Sequence, residues 1–187
     1  MIGLIVDGES DEKTIPILAN KILQGAGIGI KPKVVRRGYK LNVQKMQRHI
    51  KDMIREQPGL EKIIICMDSE DDDLARLESE VEQVERQLAH RKVEPKYILV
   101  VRMLESWLLA DEEALREVLG RGAKVTPIAN PEALRDPKEK LEEIFREARK
   151  TFQYTRDDPK IAQASDVNRI KAKCPRFAQF CEAVLDP

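Results

Sequence analysis

An apolar run, Ile63-Ile64-Ile65-Cys66-Met67, ends abruptly in acid: Asp68, Glu70, Asp71, Asp72 and Asp73 fall within six residues. A buried strand that delivers packed like charges costs folding energy unless water or a cation screens the repulsion. A second apolar run, Ile2-Gly3-Leu4-Ile5-Val6, ends in Asp7. If the two strands lie side by side and parallel, Asp7 and Asp68 meet at one sheet edge. Oxygen-only ligands in such a cluster suit Mg²⁺ or Mn²⁺.

The rest of the first hundred residues fits that geometry. Residues 11–24 read as a helix, with Ser10 as its N-cap and Gly25, Gly27 and Gly29 ending it. That glycine stretch follows a helix and precedes a strand, the reverse of a phosphate-binding loop. A strand is expected over 30–36, a helix over 42–56 closed by Pro58-Gly59, and a strand over 61–67. Leu74, Leu77, Val81, Val84 and Leu88 recur at three- and four-residue spacing, so a helix is expected over 73–91, before a strand at 96–102. Strands separated by helices of this length predict an α/β fold, a mostly parallel four-stranded sheet with right-handed crossovers.

From Met103 onward the pattern turns helical. Leu104, Trp107, Leu108 and Leu115 share a face, Asp136-Pro137 opens another helix, and shorter helices are expected at 165–173 and 175–185. Trp107 lies with Leu104 and Leu108 and reads as a core anchor rather than a base-stacking platform. The expected division is an α/β core over 1–110 and a helical extension over 111–187 that packs on it as one unit.

Composition narrows the classes further. The chain has 187 residues, 42% hydrophobic and 35% charged, with zero formal net charge, which is globular rather than disordered. Between Lys31 and Lys51 lie eight bases and no acid. That segregation suits a phosphate-binding surface beside a metal site, although a solvated helix face has the same signature. His49 and His90 have no partner at ligand spacing, and the three cysteines show no CxxC pair, so zinc is not expected. With no signal-peptide pattern and no membrane-length apolar run, a cytoplasmic protein is expected.

Acids are expected at three strand ends: Asp7, then Asp68 with Glu70, then Glu105 shortly after the fourth strand. Ligands collect at such carboxyl edges. Asp72 and Asp73 instead read as charges on the N-terminus of the following helix.

The ordered motifs resemble a known group. Val6-Asp7-Gly8-Glu9-Ser10-Asp11-Glu12 looks like the opening "V-E-G-x-T-E-E" of TOPRIM domains, the topoisomerase/primase-type metal-binding fold, and Asp68-Ser69-Glu70 looks like its D-x-D element. Glu105-Ser106-Trp107-Leu108-Leu109-Ala110-Asp111 is similar to the E-x-W-x-x-A-D stretch of the TOPRIM-like domain-of-unknown-function family 4276. Asn130-Pro131-Glu132, Asp136-Pro137-Lys138 and the stretch from Cys174 to Phe180 also resemble that group.

The resemblance implies a TOPRIM-like core and a metal set of Asp7, Asp11, Asp68, Glu70 and Glu105. Asp7 stands where the family has Glu, and Glu70 where it has Asp. The implied activity is Mg²⁺-dependent phosphodiester cleavage or another phosphoryl transfer, with two ions roughly 3.5–4 Å apart in the two-metal version. The catalytic set is then Asp7, Asp68, Glu70, Glu105 and Lys138. Asp68 is a direct ligand, Asp7 a ligand or a general base through water, and Lys138 neutralises developing charge. Arg37 is expected to grip a substrate phosphate. The implied partners are nucleic acid, DNA rather than RNA, and a separate ATPase in phage defence. The alternative is a catalytically degenerate TOPRIM-like module that binds nucleic acid or a partner. A phospho-accepting receiver domain with Asp68 as acceptor fits the long helical C-terminal region poorly.

Overall fold

The computed structural model describes residues 1–26, 32–37, 41–70, 72–88, 93, 95–120 and 122–186, with only the backbone described at 32–37. Strand β1 (Ile2–Val6) leads through α1 (Glu9–Gly25) to β2 (Pro32–Arg37), and α2 (Val43–Glu56) leads to β3 (Lys62–Asp68). Helix α3 (Leu74–Leu88) then precedes β4 (Pro95–Val100). Among the described residues six α-helices follow: α4 (Glu105–Leu108), α5 (Glu112–Leu119), α6 (Pro137–Glu147), α7 (Tyr154–Ala164), α8 (Val167–Lys173) and α9 (Pro175–Leu185).

Three strands form the parallel heart of the molecule. β1 pairs with β3 from Ile2↔Lys62 to Ile5↔Ile65, and β3 pairs with β4 from Ile63↔Pro95 to Asp68↔Val100. The β2 backbone runs parallel to the other side of β1, giving the order β2-β1-β3-β4. Such strands are covered on both faces, which is why β1 and β3 read as unbroken apolar runs.

Alternate side chains part to the two faces. Leu4, Val6, Ile64, Cys66, Ile98 and Val100 join the apolar cluster of α1 and the C-terminal helices. Ile5, Ile63, Ile65, Met67 and Leu99 join that of α2 and α3. Gly3 permits the second packing: a Cβ there would lie 2.6 Å from Met53 Cε and 3.1 Å from Leu60 Cδ1.

Trp107 is fully buried, with Phe177 edge-on at 5.0 Å and Phe180 at 5.5 Å between ring centroids. Its indole N–H donates to Glu132 Oε1 at 3.2 Å, so it is a core anchor, as expected. Asp136 caps α6 by accepting from the Glu139 N–H at 2.8 Å, with Pro137 in the first turn.

Two expectations need correction. Helix α1 starts at Glu9 behind Gly8, so Ser10 lies inside the helix and is not its cap. The Asp11 carboxylate takes the capping part by accepting the Gly8 N–H at 2.9 Å. Helix α7 was not anticipated at all. Asp157-Asp158-Pro159 has the composition of a turn, yet Ile161 and Ala162 bury in the main core and draw the segment into a helix. Among the described residues, no helix is long and apolar enough to cross a membrane.

Candidate functional site

Parallel strands that end in step bring their next residues together. The Asp68 backbone N–H donates to Asp7 Oδ2 at 3.3 Å, so the ends of β1 and β3 meet through these two residues. The crossover to α1 then turns back sharply. Asp11, one turn into α1 and tied to Gly8, faces the same edge closely enough for the Asp7 charge to act on it.

The end of β4 is laced to the loop after β3. Ser69 N–H donates to Val100 O and Glu70 N–H to Arg102 O, both at 2.9 Å, while Arg102 N–H returns a bond to Ser69 Oγ at 2.8 Å. Glu70 and Arg102 hold φ values of 50° and 61°, the left-handed region that non-glycine residues avoid. The lacing imposes that backbone, since each residue takes part in the cross-loop bonds. It also leaves Glu70 exposed, at the rim rather than in the cluster.

Glu105 enters at the first position of α4, buried at 7% exposure. From the C-terminal helices come Lys138, in the first turn of α6, and Asp158, in α7. Lys138 Nζ sits 4.2 Å from the centroid of the Tyr154 ring, a cation–π contact that holds the ammonium at the site's margin. Asp158 is completely buried; its Oδ2 accepts from Ser10 Oγ at 2.5 Å, and Ser10 Oγ also reaches Tyr154 O at 3.2 Å.

Four of these carboxyls, Asp68, Asp11, Glu105 and Asp158, are raised above their ordinary values. Burial, then the charges of Asp11, Glu105, Asp7 and Glu70, push the Asp68 carboxyl well above the ordinary range. Burial raises Asp11 too, against the Gly8 hydrogen bond and with the Asp7 charge. Glu105 is raised by burial and Asp11, with Lys138 opposing. Asp158 is pushed up to about 8 by burial and by Glu105, more than the Ser10 hydrogen bond can offset. Removing water and adding like charge both favour the protonated acid.

The structure thus brings Asp7, Asp11, Asp68, Glu105 and Lys138 to one edge of the sheet, with Glu70 at its rim. The Arg37 side chain lies outside the described residues. Reasoning missed Asp158 and its partner Ser10. A signal existed: Asp158, Ile161, Ala162 and Ser165 are all buried and spaced as one helical stripe, so the acid sits where an apolar residue belongs.

The donor set is all oxygen, suited in type and charge to a hard divalent ion, and Asp158 Oδ1 is buried with no hydrogen-bond partner. Among the described residues, no three His, Cys, Asp or Glu side chains are already gathered into a group that could hold a metal ion. The site is therefore a concentration of negative charge rather than a formed coordination shell. In ligand type and charge the residues fit Mg²⁺ or Mn²⁺.

An α/β chain with an acidic carboxyl edge is the class that fold and site define. The sequence matches Domain of unknown function (DUF4276) over residues 6–185, and the chain belongs to that family. Comparison with curated proteins and with solved structures returns no match.

Proposed function

We propose that the carboxyl edge of the sheet binds Mg²⁺ or Mn²⁺ and that the chain is a TOPRIM-like phosphoryl-transfer protein, a nuclease acting on DNA in preference to RNA. One observation carries this reading: Asp7 and Asp68, from neighbouring parallel strands, meet where Asp11, Glu105 and Asp158 also concentrate charge, with the Lys138 ammonium acting on Glu105 and Asp158. The parallel order β2-β1-β3-β4 supports a Rossmann-like, TOPRIM-like assignment.

In this reading Asp68 would hold the ion, with Asp7 as a second ligand or as a general base through water, Asp11 and Glu105 would complete its surroundings, and Glu70 would add charge from the rim. When bound, the ion would supply Lewis-acid polarisation of a phosphoryl oxygen and activation of a water. Lys138, on its flexible stem beside Tyr154, neutralises charge developing on the phosphoryl oxygens. Arg37 and the bases from Lys31 to Lys51 steer the polyanion, with binding that weakens steeply with salt. The separate ATPase is proposed on family likeness alone.

The test is incubation with plasmid, single-stranded DNA and RNA, with and without Mg²⁺ or Mn²⁺. Metal-dependent cleavage lost in Asp68→Asn is expected. Cleavage that persists in Asp68→Asn sinks the assignment. A second reading, a TOPRIM-like module that binds without cutting, draws on the shorter acid at Asp7 and the ungathered carboxylates. Saturable metal binding with no cleavage of any of the three substrates would select it.

A further inference from the structure

Among the described residues, three buried side-chain oxygens have no hydrogen-bond partner: Thr14 Oγ1, Ser106 Oγ and Asp158 Oδ1. The first two are hydroxyls, which can turn their proton toward a neighbour. The third belongs to a carboxylate, and its position is fixed, because Ser10 Oγ holds Oδ2 at 2.5 Å. Once ionised, a buried carboxylate oxygen without a donor is costly, and either a proton or a cation can compensate it.

The surroundings indicate which group. The charges acting on Asp158 are those of Glu105, Asp11 and Lys138. Two of these are acids of the carboxyl edge, so a second anionic neighbour makes the unmet oxygen worse. Ser10 itself precedes Asp11 on α1, so the Asp158–Ser10 bond ties α7 to the turn that carries a site acid. Helix α7 packs against both α1 and α4, the helix that begins with Glu105.

Resting on the reading that this edge binds a divalent cation, we infer that Asp158 is a further ligand of that cation, presenting its unpartnered Oδ1, and that Ser10 is the positioning residue that holds it. The C-terminal helices then complete the site instead of merely covering the sheet. No motif in the sequence marks Asp158 for this part.

The experiment is Mn²⁺ titration of the full chain by calorimetry at about 0.1 M and about 0.5 M salt, with folding checked by circular dichroism. Asp158→Asn is expected to weaken Mn²⁺ binding by about 10-fold or more, and Ser10→Ala by about 3-fold or more, at both salt concentrations. Asp136→Asn removes an exposed charge near Glu105 and serves as control; less than about a 2-fold change is expected there. A loss in Asp158→Asn that disappears at high salt marks a through-space charge effect and overturns the ligand assignment. So does wild-type affinity in Asp158→Asn, with the cation reading left standing on the Asp68→Asn result. If Asp158→Asn does not fold, Ser10→Ala decides alone, and wild-type affinity in it overturns the inference. Absence of binding by the wild-type chain at millimolar Mn²⁺ overturns the cation reading and this inference with it.

Discussion

Asp111 and Asp158 are both buried aspartates on the C-terminal side of the molecule, and the chain treats them in opposite ways. Asp111 Oδ1 accepts from the Glu113 and Ala114 N–H groups at 3.1 and 3.3 Å and from Arg169 Nη1 at 3.1 Å. Its Oδ2 takes the Asp166 N–H at 2.7 Å. Burial pushes the Asp111 carboxyl up, but those bonds outweigh it and leave the group below its ordinary value. Asp158 has one donor, acidic neighbours and a raised pKa. A buried acid with its donors supplied holds architecture together, here by pinning α5 to the start of α8. A buried acid without them costs stability, and a fold keeps such a group when something outside the chain completes it.

The largest expected effect breaks the first half of the contrast. Asp111→Ala strips the acceptor from three backbone donors and a guanidinium, and should destabilise the protein by about 3 kcal/mol. Urea unfolding followed by circular dichroism measures it. A loss below about 1 kcal/mol would mean that water replaces the carboxylate, and that Asp111 is no structural hub.

Added metal probes the other half. At pH 8, free Mn²⁺ at about 100 times its dissociation constant should stabilise the wild-type chain by about 2.7 kcal/mol, and Asp68→Asn not at all. The pH dependence follows from the raised carboxyls. The native state binds protons at Asp158, Asp68, Asp11 and Glu105 that the unfolded chain has already released. Without metal, stability therefore falls as the pH rises from about 4 through 8, the value near which Asp158 titrates. Asp111 has the opposite sign: its contribution is present above the usual carboxylate range and is lost in acid. Metal competes with those protons, so Mn²⁺ affinity should rise from pH 6 to pH 8. A metal-free urea midpoint that increases over that interval would contradict the account.

Asp158→Asn sharpens the comparison by reversing its sign. At pH 8.5 without metal the variant should be more stable than wild type by ~1–2 kcal/mol, because a buried charge is removed while Ser10 keeps an acceptor. In saturating Mn²⁺ the order should invert. A substitution that destabilises under both conditions would make Asp158 structural, like Asp111.

The sequence announces Asp7 and Asp68 because strand periodicity is local and a parallel pair that starts in step ends in step. Nothing of that kind announces Asp158. Its helix begins behind Gln153 with no side-chain cap, carries Pro159 in its interior and has Asp157-Asp158-Pro159, which favours a turn. Tertiary burial of Ile161 and Ala162 overrides those preferences, and burial is a property of the whole fold. Ser10 misled for a related reason. A serine before an apolar stripe looks like a cap, but the helix starts behind Gly8, two residues earlier, where Asp11 accepts the Gly8 N–H, and the hydroxyl is drawn to Asp158. The residues of the family likeness divide similarly: Trp107, Asp111 and Glu132 are consumed by packing and hydrogen bonds, while Glu105 and Lys138 face the acids.

The smallest effect is expected from the acids that follow Asp68 on the same run. Asp73 follows the same apolar strand as Asp68, yet its Oδ1 accepts the Arg76 N–H at 2.8 Å at the start of α3, and Asp72 pairs with the Arg76 guanidinium at 2.7 Å. Both are exposed. They serve the helix terminus, where acids cap free N–H groups and favour the positive end of the dipole. Asp73→Ala should therefore cost ~0.5–1 kcal/mol in urea unfolding and change Mn²⁺ affinity by less than about 2-fold. The two readouts separate the parts of a single acidic run. A large loss of Mn²⁺ affinity in Asp73→Ala would extend the site onto α3 and end the division between acids that shape the fold and acids that await an ion.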